Sequence, residues 1–101
     1  MSETLTKEAF AENLNTKFRI PFPSGEAAEL ELIEVVETMK TPRQLQFSIF
    51  FRGPLGYLLP QSTYQLEHEK MGAMQIFIVP IGREANGFRY EAVFNYVLEQ
   101  S

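Results

Sequence analysis

The sequence lacks several residue types that common functional sites require. Its 101 residues include no cysteine, no tryptophan and no aspartate, and a single histidine, His68. Without cysteine, the chain cannot form a disulfide framework, a thiolate zinc site or a thiol nucleophile. Without aspartate, it cannot form the helix-loop-helix calcium loop, which needs aspartates at fixed positions.

Long apolar runs and basic stretches are also missing. The longest apolar runs, such as Ile76–Val79, are far shorter than the roughly 20 residues of a membrane helix. The first ten residues do not resemble a signal peptide, so we expect a cytoplasmic protein that does not bind a membrane. The net charge is -4, and the stretch between Arg19 and Lys40 holds five glutamates and no lysine or arginine. This charge pattern disfavours a nucleic-acid partner.

Apolar residues are abundant, at 45% of the chain, and include 9 phenylalanines and 4 tyrosines. A chain of this length is expected to form one domain, residues 1–101, around one core. Thr6 is suited to cap a helix over about 6–14, and Asn13–Asn15 are suited to end it. Apolar residues then alternate with a period of two, which indicates strands. The six predicted strands cover about 17–22, 29–38, 44–52, 63–67, 73–81 and 88–97.

These elements predict a mainly β fold, in which about six antiparallel strands form a small barrel or a two-sheet sandwich. The short N-terminal helix could plug an open end. Glu69–Gly72 and Asn86–Gly87 are suited to close hairpins. The connection Arg52–Pro60 is long, rich in glycine and proline, and still apolar. Such connections are often functional or pack over the core.

Two strand segments need further interpretation. In 29–38 the alternation of apolar residues shifts by one position between Leu32 and Ile33. A β-bulge explains this shift, and so does a helix, but the β-branched centre of the segment favours a bulged strand. In 73–81 both faces are apolar, with Ile76 on one and Phe77 on the other, which predicts a strand covered on both faces.

No catalytic constellation is recognisable. His68 lies between Glu67 and Glu69 at a strand end, and neighbouring strand residues point to opposite faces, so we expect an exposed turn histidine. No serine lies in a Gly-x-Ser-x-Gly elbow, and no phosphate-binding loop is present. We therefore expect no enzyme activity, no metal and no cofactor, and we keep an enzyme using His68 with a glutamate as a minor alternative.

Some arginines and aromatic residues remain as candidates for contact with a partner or a ligand. Arg52 and Arg83 could pair with Glu91 at the sheet ends, or could anchor an anion. Phe50 and Phe77 lie opposite the main apolar faces of their strands, and the long connection adds further apolar side chains. The candidate contact residues are Phe50, Arg52, Tyr57, Leu58, Phe77 and Arg83.

Four sequence blocks carry a resemblance to a known family. They are Phe47–Pro54, Leu59–His68, Ile76–Arg83 and Tyr90–Asn95. In this order, and with the opening Leu5–Phe10, they resemble a family of small bacterial single-domain proteins of unknown function. The resemblance implies no activity and no catalytic residues. It implies an accessory or assembly role, because members occur beside phage-tail-like or collar-type proteins, and the expected setting is a phage-tail-like or cell-surface assembly.

The sequence therefore supports two hypotheses of different classes. The first is a non-enzymatic protein-binding or assembly module that captures a protein partner or self-associates through Phe50, Phe77 or Tyr57. The second is a small β-barrel that binds a hydrophobic or anionic small ligand. It requires an interior cavity lined by phenylalanines and by the tyrosines Tyr64, Tyr90 and Tyr96.

Overall fold

Six antiparallel strands and one short helix make up residues 5–97, which are the residues that the computed structural model describes. The mainly β prediction is therefore confirmed. The elements are α1 Lys7–Glu12, β1 Lys17–Pro21, β2 Ala27–Thr41, β3 Gln44–Gly53, β4 Ser62–His68, β5 Gly72–Glu84 and β6 Gly87–Val97.

The strands form one closed sheet rather than two stacked sheets. Their order is β1-β2-β3-β6-β5-β4, and β4 pairs back to β1. β3 is paired along both of its edges, with β6 over all its residues and with β2 from Arg52 to Gln44. The ring is thinnest between β1 and β4, where Arg19 opposite Glu67 is the single paired position among the described residues.

The strand β2 contains the predicted bulge. Its pairing with β3 shifts between Leu32 and Glu34, so that Ile33 is the extra residue. A second shift lies between Glu37 and Met39, and the strand is longer than the predicted 29–38. A bulge bends a strand and increases its local twist, which helps a sheet of only six strands to close.

Two hairpin turns depend on glycine. Gly72, after β4, has a φ of +81°, which favours glycine. Gly87, at the start of β6, has a φ of +157°, and a Cβ there would lie 2.5 Å from the carbonyl oxygen of Gly53. The turns predicted at 69–72 and 86–87 are therefore present, and Gly87 also permits close approach between β6 and the end of β3.

The helix α1 closes one end of the sheet. Thr6 caps it as predicted, because the N–H of Ala9 donates to Thr6 Oγ1 over 3.0 Å. Phe10 is fully buried, and its ring lies 5.3 to 6.3 Å from those of Phe18, Phe47 and Phe94 on three strands. A six-residue helix is stable only when packed, and Phe10 provides that packing. Among residues 5–97, no helix has the length and apolarity that crossing a bilayer requires.

The core fills the inside of the ring, and the outer face of β5 is open. The inward side chains of β5, Met74, Ile76 and Ile78, are at most 7% exposed. On the outer face, Phe77 is 50% exposed and Ile81 is 46% exposed. The prediction that this strand is covered on both faces is therefore wrong, because no second layer of the described chain packs against the outside.

Candidate binding site

The long connection between β3 and β4 is tied to the sheet near its end. Leu59 is buried, and its N–H donates to the hydroxyl of Tyr90 over 3.0 Å. The hydroxyl of Tyr64 donates to the carbonyl of Pro60 over 2.5 Å. Ahead of these tethers, Tyr57 is 42% exposed and Leu58 is 52% exposed. The connection thus packs over the core at Leu59 and presents apolar side chains to solvent just before it.

A groove of about 680 Å³ lies beside this connection, on the outer face of β1, β2 and β3. It brings together two of the candidate residues, Arg52 and Tyr57. Its floor comes from outward-pointing residues of the three strands, and its wall comes from the connection and the β5–β6 turn. The lining residues are Lys17, Arg19, Ala27, Glu29, Glu31, Arg52, Gly53, Pro54, Tyr57 and Asn86.

The charges of the groove are only partly neutralised. Arg52 Nη2 lies 3.0 Å from Glu31 Oε1, and both side chains are half-buried. Within residues 5–97, Lys17, Arg19 and Glu29 make no ion pair. Two free cations therefore face one free carboxylate on the groove floor. Such a surface can take up a carboxylate from a partner and can place an apolar group against Tyr57.

The sequence reasoning missed Lys17, Arg19 and Glu29. The signal was present, because the outward residues of β1 are basic and those of β2 are acidic. The missing information was that β1 and β2 are neighbours, with Lys17 opposite Glu31 and Arg19 opposite Glu29. Only this register places the free charges beside Arg52 and the long connection.

The candidate Phe50 is not an exposed patch. The guanidinium of Arg89 lies 5.0 Å from the centre of the Phe50 ring. Arg89 also bonds Glu34 over 2.7 Å and Glu84 over 3.3 Å. Phe50 is therefore a half-buried part of the outer sheet surface, held by a cation–π contact and an ion-pair network.

The other arginines pair differently from the prediction. Arg52 contacts Glu31, and Glu91 instead accepts a hydrogen bond of 2.8 Å from Ser48. Arg83 is exposed and makes no ion pair within residues 5–97. The predicted pairing with Glu91 is therefore wrong. The β3 register puts Arg52 opposite Glu31 on one side and Arg89 on the other.

Phe77 and Arg83 lie outside the groove, on β5. Phe77 stands on the outer face opposite Thr63 of β4, and Arg83 follows the bulge near Ile81. The six candidate residues therefore do not form one surface. Arg52 and Tyr57 line the groove and Leu58 is next to Tyr57 in the chain, whereas the other three lie elsewhere.

His68 is buried, so the expectation of an exposed turn histidine is wrong. It is 8% exposed, and its ring centre lies 4.3 Å from that of Phe18. Nδ1 accepts the N–H groups of Lys70 and Met71 over 3.0 and 3.1 Å, and Nε2 lies 2.8 Å from Thr16 Oγ1. Burial lowers the pKa of His68 below its ordinary value. In the described part of the chain, no three histidine, cysteine, aspartate or glutamate side chains form a group suited to a metal ion.

The three inward tyrosines use their hydroxyls to hold chain segments in place. Tyr90 bonds Leu59, Tyr64 bonds Pro60, and the hydroxyl of Tyr96 donates to the carbonyl of Leu5. Tyr90 is fully buried, and Tyr64 and Tyr96 are partly buried against the core. These hydroxyls therefore join the segments that cover the two ends of the sheet.

Comparison with known proteins gives a family and no activity. Residues 5–94 match a domain of unknown function, DUF6916. The chain belongs to the DUF6916 family. This membership confirms the resemblance to small single-domain proteins of unknown function, and the DUF6916 match spans every residue of the groove. No curated protein and no solved structure matches the chain.

Proposed function

We propose that this domain is a non-enzymatic protein-binding module and that the groove receives its partner. The observation that carries the proposal is the meeting of free charges with an exposed aromatic side chain in one concave site. Lys17 and Arg19 have no ion-pair partner within residues 5–97, and the exposed Tyr57 lines the same groove. Tyrosine and arginine, together with tryptophan, are enriched among the residues that dominate binding energy at protein interfaces.

The chemistry of the groove specifies the kind of segment that fits. Among the groove-lining residues the Arg52–Glu31 pair is internally neutral, so Lys17 and Arg19 outweigh Glu29 there, and Glu67 of β4 lies opposite Arg19 beyond the lining. A carboxylate of the partner would be attracted to these two cations. Tyr57 and Leu58 would pack against a neighbouring apolar side chain. The proposed partner is therefore an extended protein segment with an acidic side chain next to an apolar one.

The second hypothesis, a ligand held inside the sheet, receives less support. The inward side chains of β3, Phe47, Ile49 and Phe51, are fully buried. The hydroxyls that would contact a ligand bond chain segments instead, as Tyr90 does with Leu59. A groove on the outer face, open to solvent and bearing free charges, fits a macromolecular partner better than it fits an enclosed small molecule.

A peptide selection tests the proposal. A random library of about 12-residue peptides, long enough to cross three strands, is selected on the immobilised domain. The affinity of enriched peptides is then measured by fluorescence anisotropy. We expect acidic–apolar sequences, and we expect Arg19→Glu and Tyr57→Ala each to weaken their binding about tenfold or more. Raising the salt concentration from about 0.05 to about 0.5 M should also weaken the binding of these peptides to the wild-type domain.

Two matched variants at the far end of β2 serve as controls. Lys40→Glu makes the same charge reversal, and Met39→Ala removes a side chain that is also 42% exposed. Both should change the affinity by less than about twofold, since surface substitutions away from a site have small effects. The proposal fails if no peptide is enriched, or if the enriched peptides bind the Arg19→Glu, Tyr57→Ala double variant as tightly as the wild type.

A further inference from the structure

The second half of β6 has a free edge. β5 pairs with β6 only as far as Val79 opposite Glu91, and the earlier part of β5 pairs with β4 instead. Ala92–Val97 therefore pairs with β3 on one side and with no described strand on the other. Alternate residues of an antiparallel strand point their N–H and C=O groups to opposite sides, so this edge presents backbone donors and acceptors.

This edge lacks the features that usually prevent strand addition. Ala92–Val97 contains no charged residue and no proline, and its register with β3 has no bulge. The strands β2, β3 and β6 lie side by side here, and the second half of β2 forms the opposite border. A bulge at Thr38 and the ion pair of Glu37 with Lys7 protect that border. Charges, proline and bulges are the common means of blocking an edge, and β6 has none of them there.

The outward side chains of the edge are apolar and self-complementary. Val93 is 56% exposed and Val97 is 81% exposed, with the uncharged Asn95 between them. In an antiparallel pair of two identical strands centred on Asn95, Val93 of each copy lies opposite Val97 of the other. Apolar residues directly opposite each other stabilise a sheet, and no like charges meet between Val93 and Val97 in this register.

We propose that a second copy of this chain pairs with this edge, so that two β6 strands run antiparallel about a twofold axis at Asn95. The two sheets then continue into one another, and Val93 and Val97 are covered by their counterparts. A twofold pairing uses the same surface on both copies and closes the assembly at a dimer. This surface is separate from the groove, so the inference goes beyond the proposed function and leaves the groove open.

Sedimentation velocity over a range of concentrations tests the dimer. The wild type should be a concentration-dependent dimer, and Val93→Lys or Val97→Lys should weaken dimerisation about tenfold or more, because lysine blocks an edge. Met39→Lys is the matched control, since Met39 is on the same outer face but two strands from the edge. It should leave the dimer unchanged.

Cysteine cross-linking tests the register. The chain has no cysteine, so each introduced cysteine is a unique thiol. Asn95→Cys should form an intermolecular disulfide on mild oxidation, because residues opposite one another in a strand pair have Cα separations that a disulfide can span. Gln75→Cys, in the middle of the free edge of β5, is the matched control and should remain unlinked at the same concentration.

The outcomes separate the possibilities. A wild type that stays monomeric at all concentrations overturns the proposal. Loss of the dimer in Met39→Lys together with its retention in Val93→Lys would show stacking of faces instead of edge pairing. Cross-linking through Gln75→Cys but not Asn95→Cys would move the contact to β5, and species that grow beyond a dimer would show a head-to-tail arrangement. Each of these results contradicts twofold pairing at Asn95.

Discussion

His68 shows how the hydrogen bonds of one residue fix its protonation state. Nδ1 accepts two backbone N–H groups, so the ring proton lies on Nε2 and is donated to Thr16 Oγ1. The hydroxyl of Thr16 in turn donates to the carbonyl of Asn13 over 2.6 Å. The neutral imidazole thus links the end of α1, the start of β1 and the β4–β5 turn. A second proton on Nδ1 would face two donors and break this arrangement.

This geometry predicts that acid destabilises the fold. Burial lowers the folded-state pKa of His68 below the ordinary 6.5, so the unfolded chain takes up a proton at a pH where the folded chain does not. The stabilisation is therefore complete above about pH 6.5 and is lost as the pH falls from there toward the folded-state pKa. Urea unfolding should give a smaller free energy at about pH 5.5 than at about pH 7.5.

A variant without the imidazole isolates the effect of His68. His68 is the only histidine in the chain, and histidine is the side chain that normally titrates in this interval. His68→Asn keeps an acceptor near the position of Nδ1 but cannot titrate. It should be less stable than the wild type at about pH 7.5 and should show little change down to about pH 5.5. An equal loss of stability in both proteins over this interval would contradict the role of His68.

The misplacement of His68 and Arg52 by the sequence analysis has a physical cause. The position of His68 at a strand end before a turn indicates an exposed turn residue, but the residues it contacts, Thr16 and Phe18, lie about 50 positions away in the chain. The partner of Arg52 depends on the strand order and on the position of every bulge, and neither is readable from the sequence around Arg52. Local patterns specify which way a side chain points along its own strand. They do not specify which residue lies opposite.

At the level of elements, local pattern was sufficient for β2 and insufficient for β5. The shift in alternation at Ile33 marks the bulge, because a bulge reverses the parity of inward residues. The β5 pattern of large apolar residues on both faces is compatible with burial on both sides, and whether a second layer exists is not encoded within the strand. The groove was predictable only in part for the same reason, since its free charges come from a strand pair that the sequence does not identify.

The tether between the long connection and β6 predicts an unequal effect of two similar substitutions. Tyr90→Phe leaves the buried N–H of Leu59 without an acceptor, which should lower the free energy of unfolding by about 1–3 kcal/mol. Tyr64→Phe removes the same hydroxyl group from an exposed bond to Pro60, whose carbonyl water can then reach. Its cost should be about 1 kcal/mol or less.

Urea unfolding of the two variants gives the stability difference, and amide exchange at Leu59 reports the tether directly. Exchange at Leu59 should accelerate in Tyr90→Phe and remain near the wild-type rate in Tyr64→Phe. Equal destabilisation by both substitutions would show that the Leu59 contact contributes no more than an exposed hydrogen bond.

For the whole molecule, closure of the sheet is uneven. β3 has neighbours on both sides over nearly its full length, and it carries the fully buried Phe47, Ile49 and Phe51. β1 has five paired positions with β2 and one with β4. The ring is therefore a continuous run of paired strands from β1 through β2, β3, β6 and β5 to β4, closed by the narrow junction between β4 and β1. Local opening should begin at that junction.

Amide hydrogen exchange measured residue by residue tests this order of stability. The amides of β3 should exchange only through global unfolding, with opening free energies equal to that from urea, because both edges of the strand are paired. Those of β1 should exchange through a smaller opening that frees the β1–β4 junction, with a free energy lower by about 1.4 kcal/mol or more, a tenfold difference in exchange rate. The measurement is made on dilute protein, so that self-association does not add protection to β6. Equal protection of β1 and β3 would contradict this prediction. It would mean that the β1–β4 junction, with its single paired position at Arg19 and Glu67, opens only when the whole molecule unfolds.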